Sequence, residues 1–99
     1  MSYTKKPEMA IKNQGKLIYT RLRVIASQYF KEFRMQFPLE RAGYSEVEAT
    51  RRVQNQKMDI NAYCIMFKYF VVLCEGGVLP ANREIESVYA EAKEYINNN

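Results

Sequence analysis

From Ile60 to Cys74, thirteen of fifteen residues are apolar, and only Asn61 and Lys68 interrupt the run. A helix that is apolar nearly all round must be enclosed by other elements. The run falls short of the roughly 20 residues that cross a bilayer, so a membrane span is not expected. Gly76-Gly77 stops it. A chain of 99 residues buries one small core, so this segment is expected as the central helix of a single domain over residues 9–96.

The other segments must wrap that helix. Ile11, Ile18, Leu22, Ile25, Tyr29 and Phe33 recur at helical spacing, with Ala26, Phe30 and Phe37 widening the stripe. They predict one long helix over 9–37, weakened at its start by Gly15 and ended by Pro38, unless Pro38 opens a short turn of its own. Ser45-Glu46-Val47-Glu48 reads as a capping box that starts a helix over 45–57. Asp59 can cap a separate helix over 60–75, or one helix can run through residues 45–75; the pattern leaves both open. The last helix, 82–96, places Ile85, Val88, Tyr89, Ala92 and Ile96 on one face behind Asn82 as cap. Residues 1–8 read as a flexible N-terminal arm and 97–99 as a frayed tail. No alternation suggests a strand. The fold class is all-α, a small bundle of about four helices.

Composition removes several functions. There is no His, and with it go the commonest general base and the commonest metal ligand. Cys64 and Cys74 lie ten residues apart in the apolar run, about 15 Å along a helix, too far for a disulfide. Two buried free thiols fit a reducing, cytoplasmic setting, with Lys68 the only nearby cation. Residues 1–8 have no apolar stretch behind them and are not a secretory signal. Glu84, Glu86, Glu91 and Glu94 fit the solvated face of the last helix, and no nucleophile stands with a base. The expectation is a non-enzymatic binding protein without metal or cofactor. Most aromatic residues fall at core spacing; Tyr3, Tyr19 and Tyr44 fall off it and are expected nearer the surface.

Charge carries the positive signal. Residues 1–57 hold 12 Lys+Arg against 5 Asp+Glu, and residues 58–99 hold 3 against 6. On the predicted first helix Lys12, Lys16, Arg23, Lys31 and Arg34 fall close to one line opposite the apolar face, with Thr20 and Ser27 between them. That line would span about 33 Å. A solvated helix face accounts for such residues in many proteins. A face with so little acidic admixture also suits a phosphate backbone or an acidic protein surface.

Ala42-Gly43-Tyr44-Ser45 followed by a helix with Ala49 resembles the turn and second helix of helix-turn-helix DNA-binding units. It is similar in particular to the Ala-Gly-Tyr-Ser turn of phage terminase small subunits. The resemblance covers residues 38–57 and implies a DNA-binding helix presenting Arg51, Arg52, Gln54, Asn55 and Lys57, with the first helix adding backbone contacts. Plain helical hairpins are built on the same turn, and Glu46 and Glu48 would repel phosphate near the helix start. The expected function is nucleic-acid (DNA) binding through a basic helix face. The alternative is a protein-interaction module, an inhibitor or adaptor of phage or plasmid type. It would dock on an acidic surface or self-associate as a homo-oligomer through surplus apolar surface of the 63–74 run.

Overall fold

A computed structural model of the chain describes residues 7–29 and 31–99. Five helices follow one another: α1 (Glu8–Tyr29), α2 (Phe37–Arg41), α3 (Glu46–Asn55), α4 (Ile60–Glu75) and α5 (Arg83–Asn98). The described residues contain no strand, as an all-α bundle requires. α1, α4 and α5 pack mutually, while α2 rests on α4 and α3 on α2. The flexible arm expected over 1–8 falls outside the described residues up to Lys6, and Glu8 already belongs to α1.

The long helix expected over 9–37 is two helices. α1 ends at Tyr29, and Pro38 sits in the first turn of α2. Helix lengths explain the break. α1, with 22 residues, already reaches about 33 Å and overhangs α4 and α5, whose 16 residues each span about 24 Å; a 29-residue helix would reach about 43 Å and overhang them further. Tyr29 is already 42% exposed at that edge. Folding back buries Phe33 edge-on against Tyr69, with ring centroids 5.4 Å apart, and seats Leu39 in the core. Phe30 lies outside the described residues.

The question left open over residues 45–75 resolves as two helices. α3 stops where Gln56 takes a left-handed conformation, with φ of 53°. Met58 then drops into the core, and Asp59 Oδ1 accepts the Ala62 amide at 2.8 Å to start α4. The Tyr63 hydroxyl donates to the Gln56 carbonyl at 3.3 Å, which gives the end of α3 a partner on α4. Asn82 caps α5 through the Ile85 amide at 2.9 Å. The tail expected to fray stays helical through Asn98, and the Asn99 side chain donates to the Tyr95 carbonyl at 2.8 Å.

The core centres on an aromatic series. Tyr19, Tyr63, Phe67 and Tyr95 are all buried. Tyr63 stacks on Phe67 at 5.9 Å, and Tyr95 meets Phe67 edge-on at 5.2 Å. Tyr19, expected nearer the surface, lies in this series 6.1 Å from Tyr63, because α1 turns its 19 position toward α4. Gly15 makes the approach possible. A Cβ there would stand 2.8 Å from Tyr63 Cδ2 and 2.9 Å from the Tyr95 hydroxyl. The residue that weakens the helix in isolation is the one that lets α1 reach the aromatic core.

Two outcomes follow. Gly15→Ala gains about 1 kcal/mol of helix propensity, but forcing a methyl against two buried rings costs about 1–3 kcal/mol. The variant is expected to unfold at lower denaturant than the wild type, measured by circular dichroism. The hydroxyls of Tyr19 and Tyr95 are buried and lack a hydrogen-bond partner. Burial pushes both well above the usual tyrosine range. Below about pH 10 both are protonated in either state and stability is full. Above it the unfolded chain ionises first, so stability falls as pH rises. Thermal melts are expected to show that alkaline loss, and the double variant Tyr19→Phe/Tyr95→Phe should flatten it.

Candidate nucleic-acid interface

The basic half of the chain is arranged by how α3 starts. Ser45 Oγ accepts the Glu48 amide at 3.1 Å, the first half of the expected capping box. The second half is not made: the Glu48 carboxylate turns instead to Arg51 Nη2 at 2.5 Å and Arg52 Nε at 2.8 Å. Two guanidiniums one helical turn along are a stronger draw for a carboxylate than a neutral amide. The turn before α3 needs Gly43, whose φ of 108° is open to glycine and rare for other residues.

α3 packs through Ala49 and Val53, both buried, and stands off from α1 across a furrow. The upper part is a groove of about 800 Å³ between the second half of α1, the 31–36 connector and α3. Arg23, Lys31 and Gln54 line it together with Thr20, Ser27 and Thr50, and no described carboxylate does. The lower part, about 520 Å³, brings Lys12 and Lys16 of α1 opposite Arg52 and Lys57. Its single acidic residue, Asp59, is already engaged in capping α4. Gln56 belongs to both parts. Thr20 Oγ1 lies 2.9 Å from the Gln56 side-chain oxygen and 2.9 Å from the Lys16 carbonyl, so its one proton serves either acceptor in turn.

The straight 33 Å stripe predicted from Lys12 to Arg34 therefore does not exist, because α1 ends before Lys31. The fold bends it. Lys12, Lys16 and Arg23 stay on α1, and Lys31 swings onto the connector at the upper groove. Arg34 lines neither part; its guanidinium stacks on the Phe37 ring at 4.8 Å. Arg51 and Asn55 lie on the outer surface of α3, away from the furrow. Arg52 lies over Tyr44 at 5.2 Å while paired with Glu48. Thr50 and Gln56 are furrow residues that sequence reasoning missed. Gln56 carries no signal in a chain read by type, since its place depends on a left-handed turn that glutamine seldom makes.

Other reactive groups lie elsewhere. Cys64 and Cys74 are free and half-buried rather than fully buried. Burial pushes the Cys64 thiol up, opposed by Lys68, and burial with the Glu75 charge takes Cys74 up to about 11. Both are protonated at neutral pH and poor nucleophiles. Among the described residues no three Cys, Asp or Glu side chains gather as metal ligands, and no helix is long and apolar enough to cross a membrane. The acidic side of α5 is partly spent on α1: Arg21 pairs with Glu84 at 3.0 Å and also with Glu91.

Glu48 sets how much charge α3 can offer. Glu48→Gln removes two partly exposed pairs, whose combined worth is about 1 kcal/mol, and leaves the amide that Ser45 caps. Thermal stability is expected to change little. Affinity for a polyanion, measured by anisotropy at low salt, is expected to rise as Arg51 and Arg52 are released.

Comparison with protein-family models, with curated proteins and with solved structures found no match to this chain.

Proposed function

We propose that this chain is a non-enzymatic helical domain that binds nucleic acid, duplex DNA first, with the cations of the α1–α3 furrow on the phosphate backbone. One observation carries the reading. Lys12, Lys16, Arg23, Lys31, Arg52 and Lys57 converge on one furrow whose single carboxylate is occupied as a helix cap. Arg52 has Glu48 as counter-charge; the other five cations have no ion pair among the described residues and repel one another, an arrangement that a polyanion relieves by releasing its own counterions. α2, the glycine turn and α3 then act as a short helix-turn-helix unit. α3 presents Gln54, Asn55 and Arg51 to base edges while the furrow holds the adjacent strand. α2 has only five residues, shorter than the matching helix of the family that the turn resembles.

The test is fluorescence anisotropy with a short labelled duplex across a salt series. Binding is expected to weaken steeply with salt, log K falling by about 0.9 per phosphate neutralised. Arg51→Glu/Arg52→Glu is expected to abolish binding with the helical circular-dichroism signal intact. Lys12→Glu/Lys16→Glu is expected to weaken every sequence alike. Absence of binding at low salt, or full binding by both double variants, would remove the reading.

One observation favours a second reading, an acidic protein partner of the inhibitor or adaptor type. Leu17, 70% exposed, stands on α1 beside Lys16, and Val24, 61% exposed, stands beside Arg23 on the wall of the upper groove. Apolar side chains among cations suit an acidic amphipathic surface. Leu17→Ser, at a residue that lines neither part of the furrow, should leave duplex binding intact if phosphate is the ligand, and should release a protein partner if it is not.

A further inference from the structure

α4 does not spend all its apolar surface on the core. Ala62, Tyr63, Met66, Phe67 and Phe70 are buried against the bundle. The opposite side carries Asn61, Lys68, Val72 and Glu75, all exposed, and Val72 is 65% exposed. Ile65 and Val71 flank it half-buried. The chain then folds back, the Val78 amide donating to the Leu73 carbonyl at 3.0 Å, which leaves Val78 half exposed at the end of the strip.

We propose that this strip is a homodimer interface, two copies of α4 packed antiparallel about a two-fold axis midway between positions 71 and 72. The register is self-complementary. Lys68 meets Glu75 of the second copy, Val71 meets Val72, and Ile65 meets Val78, each pairing made twice by symmetry. Lys68 and Glu75 are two helical turns apart on one face, about 10 Å, with the exposed valine between them. Moving the axis to position 68 or 75 instead sets Lys68 against Lys68 or Glu75 against Glu75, so charge selects one alignment. Glu75 is able to take part: the Tyr89 hydroxyl at 2.7 Å and Lys93 Nζ at 3.6 Å both approach Oε2, and its side chain remains 52% exposed.

The wider charge pattern agrees. Two molecules of net charge +4 repel, but residues 58–99 carry 6 acidic against 3 basic side chains. Contact through α4 brings together the halves that repel least. None of the strip residues lines the furrow, so the dimer and the nucleic-acid reading stand or fall separately.

Sedimentation velocity of the full chain over a concentration series tests the proposal. The wild type is expected to pass from monomer to dimer in the micromolar range, since the face of one helix pair is small for a stable interface. Lys68→Glu sets two like-charged contacts in place of two favourable ones, and is expected to weaken association about tenfold or more. Val72→Glu should do the same. The exchange Lys68→Glu/Glu75→Lys restores both pairs and should restore the dimer. Circular dichroism checks that each variant is folded. A wild type that stays monomeric throughout, a dimer indifferent to Lys68→Glu and Val72→Glu, or an exchange variant no better than the single change would overturn it.

Discussion

The close approach of the α1 backbone to the aromatic core at Gly15 governs the rest of the architecture. Tyr63 and Tyr95 come from different helices, and their atoms converge on the space a side chain at position 15 would fill. With α1 seated there, Ile11, Ile18, Leu22 and Ile25 all point inward. Tyr19 completes the aromatic series, and α4 packs against both α1 and α5. In a core this small, each large ring buries more apolar area than any aliphatic side chain. Their exact stacking therefore sets the distance at which all three long helices stand.

The α2–α3 hairpin is attached to that framework more lightly. Leu39, Ala49, Val53 and Met58 are its buried anchors, and the Tyr63 hydroxyl ties the end of α3 back to α4. α3 touches the bundle along one edge and leaves the furrow along the other. The furrow exists because α1 ends at Tyr29 and the chain returns through residues 31–36. The turn that buries Phe33 also moves Lys31 onto the furrow wall. Core packing and charge placement are thus one event in this protein. The same economy applies to Glu48, which by holding Arg51 and Arg52 moderates the charge of the helix best placed to meet a ligand.

Helix positions for residues 45–96 were legible from local pattern, except that it left open whether 45–75 is one helix or two. Ser45, Asp59 and Asn82 each cap the helix their side chains suggest, because a cap needs only a few neighbouring residues to act. The region from Gln28 to Arg41 was not legible. Its apolar spacing is consistent with one helix, and nothing local states that α4 and α5 are too short to support it. Tyr19 misled for a related reason: its place depends on which side of α1 faces α4. For the candidate site, the types were readable and their grouping was not. Lys12, Lys16, Arg52 and Lys57 are far apart in the chain and converge across the furrow, whereas Arg34, Arg51 and Asn55 look equivalent in sequence and face elsewhere.

By itself the sequence determined the helical class, the central place of the 60–74 segment, the caps of α3 and α5 and the excess of positive charge before position 58. These follow from short-range preferences and from composition, which any conformation of the chain carries. Tertiary structure alone decided where α1 ends, that Gly15 is a contact point rather than a flaw, and which cations share a furrow. It also decided that Val72 stays outside while Phe70 does not. Those outcomes depend on the relative lengths and facing surfaces of helices distant in sequence, and such quantities have no value until the helices are packed.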